Sequence, residues 1–242
     1  MAQRRGDATT TSTVRWGIPD ALLCYLAGFV GVVVLASIAA AVSGTNTATE
    51  RDDSALVYAA AFAGQYGGTL LALVAVSRRK GRGNLTDDFG LRIWVGDWWV
   101  VPMGAGLGAL LGALLLPLSN LANGREQEVV QELNDASGAK LVVLAIGAGL
   151  LAPVVEELVF RGLLLRALLR RMPATAAVAV SAVSFAFVHF GDPSLGTVVA
   201  MPALVTIGVV AGVFTVRTGD LSRAIMLHAG FNLLTILQVA LT

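Results

Sequence analysis

The chain has two histidines, and each stands in or beside a long apolar run, as does its adjacent glutamate pair. Glu156-Glu157 lies in LLAPVVEELVFRG, His189 in SFAFVHF and His228 in IMLHAGFN. A charge in such surroundings costs roughly 2.5–3.5 kcal/mol on insertion scales, so such groups are paired or line a functional cavity. Glu157 and Arg161 are four apart with the acid first, the better order for a helical ion pair. Arg161 thus neutralises Glu157 and holds it. Helical neighbours diverge by about 100°, which leaves Glu156 facing elsewhere without a same-face partner. A free carboxylate in an apolar site suits a general base. His228 and Asn232 also share a helical face, and an imidazole beside an amide can donate to a developing oxyanion.

Pro153, three residues before Glu156, removes one backbone hydrogen bond. It is expected to free the carbonyl of Gly149, kink the helix and open space above the pair. A turn at Met172-Pro173 makes a helical hairpin in which Glu156 and His189 stand at nearly equal distances from the bend. Their side chains are therefore expected to meet, with Phe185 on the face of His189 as a wall. Each element alone has an ordinary reading. An intramembrane histidine is often a packing donor, Glu157–Arg161 can be a structural pair, and a His/Asn pair at this spacing is a weak signal. Together they point to one site.

The elements that must position these groups are membrane helices. The 242 residues are 56% hydrophobic and 14% charged, against about 25% charged in soluble domains, and mean hydropathy is +0.75. A net charge of +1 argues against a nucleic-acid partner; the lipid bilayer is the partner expected. The single cysteine, Cys24, reads as a small buried apolar side chain. Spans of about 20 apolar residues fall at roughly 20–43, 54–77, 97–118, 140–163, 173–190, 195–216 and 223–241. The fold class is all-α, a polytopic membrane bundle of about seven helices with the site among the fourth, fifth and seventh. Residues 1–19 read as a disordered cytoplasmic N-terminus, 20–118 as three N-terminal spans and 140–241 as the catalytic core.

With alternating spans, thirteen basic residues fall on one side: Arg4, Arg5, Arg15, Arg78, Arg79, Lys80, Arg82, Arg92, Arg166, Arg170, Arg171, Arg217 and Arg223. The other side has Arg51, Arg125 and Lys140 among Glu50, Asp52, Asp53, Glu126, Glu128, Glu132 and Asp135. The positive-inside rule then puts the N-terminus in the cytoplasm of a cell whose plasma membrane holds the chain. Gly104, Gly108 and Gly112, and Gly208 with Gly212, form small-residue rows for close helix packing within the monomer. Depth poses a problem. His228 is five residues from Arg223, while His189 lies near the far end of its span. Either the 162–173 tip projects into the cytoplasm, with Gly191-Asp192-Pro193 lining a wet cavity, or residues 162–171 lie flat at the interface with their arginines snorkelling.

The ordered set Glu-Glu-x-x-x-Arg (156–161), Phe-x-x-x-His (185–189) and His-x-x-x-Asn (228–232) resembles the CPBP family. That family groups the type II CAAX prenyl endopeptidases with the Abi proteins of bacteriocin processing and self-immunity. The resemblance covers about residues 140–240. It implies intramembrane hydrolysis of a peptide or membrane-protein substrate, prenylated or not. Glu156 would activate water with help from His189, His228 and Asn232 would stabilise the oxyanion, and Glu157 and Arg161 would support the site. The family has been described both as metal-free and as metalloproteases. Zinc, if bound, would take Glu156, Glu157, His189 and His228, but the chain has no H-E-x-x-H, and the metal-free version is favoured. Two alternatives stay open: a proton- or ion-coupled transporter, with Gln65 and Tyr66 lining the cavity, and a non-catalytic immunity or scaffold protein of the same fold.

Overall fold

The computed structural model describes residues 14–44, 54–121, 133, 136, 138–190 and 195–240. Its long helices are α1 (Ile18–Ser43), α2 (Ala55–Lys80), α4 (Val100–Leu121), α5 (Gly138–Leu169), α6 (Ala174–Val188), α7 (Leu195–Thr218) and α8 (Ser222–Ala240). A short α3 (Leu85–Phe89) and a single 3-10 turn (Val95–Asp97) join α2 to α4. A helix stands at each of the seven expected span positions, but five are long and apolar enough to cross a membrane: α1, α2, the 95–120 helix, α5 and α7. α6 has 15 residues, a length of about 22 Å against a core of about 30 Å. α8 is polar at its start, where Ser222 and Arg223 precede His228 and Asn232.

Glycine sets how closely the helices approach. α1 and α2 cross with Gly31 against Gly64, where a Cβ on either would collide with the backbone carbonyl of the other. Gly28 and Gly68 extend this seam. The sequence reading passed over it and named other rows. Of those, Gly104 meets the Leu227 carbonyl, Gly108 faces Phe231 and Leu234, Gly208 faces Ala182, and Gly212 faces Val178, while nothing lies within 4 Å of a Cβ built at Gly112. Backbone cannot yield as a side chain can, so Gly64→Leu is expected to splay α1 from α2 and cost about 3 kcal/mol. Gly67→Leu, where a Cβ meets nothing within 4 Å, is the matched control and should unfold with the native protein in a thermal scan.

α5 is the central helix. Leu158, Leu163, Leu165 and Ala167 are fully buried, and every residue from Leu158 to Leu165 is buried. This excludes the flat interfacial placement of residues 162–171. The segment instead continues α5 through the middle of the protein, with Phe89 of α3 seated against Gly162. α5 is not uniform. Its hydrogen bonding widens to the π register at Gly147–Leu151 and again at Leu158–Leu165, leaving one α-helical turn and a half, Ala152–Glu157, between. Single-turn π segments concentrate at functional sites.

The four basic clusters meet at one end of the bundle. The Arg15 amide donates to the Lys80 carbonyl at 2.7 Å, and Lys80 pairs with Asp20 at 2.6 Å. Asp20 also accepts from the Gly17 amide at 2.8 Å, closing the start of α1. The Arg170 guanidinium stacks 4.1 Å over the Trp16 ring. Residues 14–19 are thus tied to the bundle. Arg166 donates to the Gly219 carbonyl at 2.6 Å, and the Leu221 amide to Gly90 at 3.0 Å. The contact of Arg166 with Gly219 and that of Glu157 with His228 (below) stand nine residues apart on both chains of the antiparallel pair α5/α8. The turn before α8 therefore lies level with Arg166, and the α5–α6 tip extends beyond it. Residues 1–13, the acidic cluster of the other side from Glu50 to Asp53 and from Arg125 to Asp135, and Gly191-Asp192-Pro193 lie outside the described residues.

Candidate active site

Glu156 and Glu157 end the α-helical piece between the two π segments of α5. Glu157 is 1% exposed and turns into the core. Its Oε1 accepts from Arg161 Nη1 at 3.0 Å and from His228 Nδ1 at 3.0 Å. Arg161, also buried, donates a second bond to the Gly208 carbonyl at 3.1 Å and lies 4.5 Å over the Phe185 ring. The expected Glu157–Arg161 pair is present, yet Arg161 is not the only partner. The carboxylate also orients a histidine from another helix.

Glu156 faces the other way. Its side chain is 22% exposed, and among the described residues Oε2 has no hydrogen-bond donor. His189 Nε2 stands 3.7 Å from that oxygen and His228 Nε2 3.9 Å, too long for direct hydrogen bonds. Both imidazoles have their other nitrogen engaged. His189 Nδ1 lies 2.8 Å from the Phe185 carbonyl and His228 Nδ1 3.0 Å from Glu157. A carbonyl, or a carboxylate already held by arginine, only accepts, so each Nδ1 carries its proton. Each Nε2 is then the ring nitrogen presented to Glu156.

His189 is the residue that ends α6, with φ −86° and ψ 0°, rather than one of its turns. α6 stops where its histidine reaches Glu156. Phe185, one turn earlier and 1% exposed, lies 4.8 Å from the His189 ring and meets the His228 ring edge-on at 5.3 Å. It walls both histidines on one side while carrying Arg161 on the other.

These groups open into a cavity of about 250 Å³ lined by Glu156, His189, His228, Asn232, Phe185 and Tyr66, among others. Tyr66 stacks on Phe62 at 5.6 Å with the rings nearly parallel. Gln65 instead sits at the crossing with α1, beside Gly28. Cys24 is fully buried and unpaired.

Asn232 Nδ2 donates to the Ala148 carbonyl at 2.8 Å. The carbonyl freed near Pro153 and claimed by Asn232 is thus that of Ala148, one residue before the position expected from α-helical numbering, because the π register shifts the gap. Leaving a buried carbonyl unpaired costs about 1–3 kcal/mol, so this contact stabilises as well as orients. Ser181 Oγ donates to the Phe160 carbonyl in the second π segment, at 2.9 Å. Neither pairing could be read from spacing along one helix.

The four residues expected for zinc come together, but not in a metal-holding arrangement. Glu157 Oε1 already holds Arg161 and His228 Nδ1, and among the described residues no group of three or more His, Cys, Asp or Glu has metal-holding geometry.

Residues 138–234 match the family described as type II CAAX prenyl endopeptidase Rce1-like. The match starts where α5 starts and ends two residues beyond Asn232, so it contains every residue of the cluster. No curated protein and no solved structure matches the chain.

Proposed function

We propose, from the match of residues 138–234 to the type II CAAX prenyl endopeptidase Rce1-like family, that the chain is an intramembrane endopeptidase whose base is Glu156. At family level it is a CAAX-type intramembrane protease. The observation that carries the finer reading is the convergence of both Nε2 atoms on one donor-free oxygen of Glu156, at the wall of an apolar cavity.

In this reading a water in the cavity gives its proton to Glu156, with His189 holding it in place. The hydroxide forms a bond to the substrate carbonyl carbon, and the carbonyl electron pair moves onto oxygen. His228 Nε2 and the Asn232 amide donate to that oxyanion. Collapse breaks the C–N bond, and the proton held by Glu156 passes to the leaving amine. His228 already donates at Nδ1, so it donates at Nε2 as imidazolium. Glu157 is then its counter-ion.

The substrate is a membrane-associated peptide or protein, and the basic end of the bundle faces the cytoplasm by the positive-inside rule. The test is reconstitution into liposomes with membrane-anchored peptides, prenylated in one arm and carrying an apolar helix in the other, read by mass spectrometry of new termini. Cleavage in either arm supports the reading and selects the substrate class. Proton- or ion-coupled uptake by the same vesicles, with no new termini, would favour transport instead. A relay would thread polar groups through both membrane halves, whereas these gather around one carboxylate.

A further inference from the structure

We infer that Pro153 is a positioning residue for Asn232, acting through the carbonyl oxygen of Ala148. The inference rests on the reading of Asn232 as an oxyanion donor. In an α-helix the Ala148 carbonyl would accept from the amide of residue 152. The π step removes that donor, because the Ala152 N–H bonds to the Gly147 carbonyl instead. In the π register the next donor would be the amide of residue 153, and Pro153 has none. Both backbone routes to the Ala148 oxygen are thus closed, and Asn232 Nδ2 takes the place at 2.8 Å.

The consequence is directional. A carbonyl accepts only, so the side of the Asn232 amide that meets it is the NH2 group, not Oδ1. One N–H is spent on Ala148, and the second stays on the amide that lines the cavity with Glu156 and His228. Without the anchor the amide can rotate and offer Oδ1, which repels an oxyanion. His228, four residues earlier, has its own anchor in Glu157. The two oxyanion donors on α8 are therefore each set by a different feature of α5, one by a carboxylate and one by a missing amide hydrogen.

Pro153→Ala supplies the missing N–H and gives the Ala148 carbonyl a backbone donor. It also replaces a helix-breaking residue with the best helix former, so the variant is expected to fold. In lipid nanodiscs kcat is expected to fall about 10–100-fold, with KM within about twofold. If Pro153 acts through Asn232, the same change in an Asn232→Ala background has little further effect, under about twofold. Losses that multiply would show an independent structural role and overturn the inference. A second readout needs no turnover. With 15N-asparagine labelling, the Asn232 side-chain amide should exchange at least about tenfold more slowly than that of exposed Asn84, and Pro153→Ala should abolish this protection. Protection that survives the substitution would also overturn the inference. A native protein that shows the protection but hydrolyses no peptide would instead sink the endopeptidase reading and leave the placement of Asn232 by Pro153 standing.

Discussion

Glu156→Ala is expected to lower peptide hydrolysis by roughly 10²–10⁴-fold, the contribution of a positioned general base, while the protein unfolds at the native temperature. The two halves of this expectation come from the same geometry. Among the described residues nothing donates to Glu156 Oε2, and both histidines that face it hold their places through Nδ1, on Phe185 and Glu157. Removing the carboxylate therefore breaks no direct hydrogen bond to either histidine. The check is the appearance of new peptide termini in proteoliposomes, alongside a thermal scan of the same preparation. Activity within tenfold of native would transfer the base role to His189. The third reading, a scaffold or immunity protein, is separated by the same variant in cells. A cellular role that survives loss of cleavage does not depend on catalysis.

The site was legible in sequence wherever its logic runs along one helix. Four-residue spacing pairs Glu157 with Arg161 and places His228 beside Asn232, and counting from the α5–α6 bend brings His189 level with Glu156. Other features are not encoded in spacing along one helix. The bond from His228 to Glu157 joins residues 71 apart in sequence, and no periodicity encodes it. The π segments change which amide meets which carbonyl without changing the apolar pattern, so the gap at Ala148 could not be told from one at Gly149. The α1–α2 seam was passed over because Gly28, Gly31, Gly64 and Gly68 lie in runs rich in small residues, where packing glycines and incidental ones look alike. The seven helix positions were readable from hydropathy. That α6 stops at 15 residues was not, because the apolar run continues past His189 into Phe190 and only the fold ends the helix at the histidine.

Arg161→Ala is expected to be the most damaging single change to stability, about 3–5 kcal/mol, the usual cost of breaking a buried ion pair from one side. Arg161 is 1% exposed and is the largest fully buried side chain. Its loss leaves Glu157 with His228 as sole partner, removes the donor to the Gly208 carbonyl and empties the space over Phe185. Arg161→Lys should recover little, because one ammonium cannot reproduce two directed bonds and a stacked plane. A sharper comparison is Arg161→Met with Glu157→Leu in one chain. That double variant removes both charges, so it should be more stable than Arg161→Met alone, yet inactive because His228 loses the carboxylate that fixes Nδ1. Unfolding in bicelles, followed by circular dichroism, reads stability, and peptide cleavage reads activity. A loss below about 1 kcal/mol for Arg161→Ala would overturn the reading of the Glu157–Arg161 pair as a support of the core.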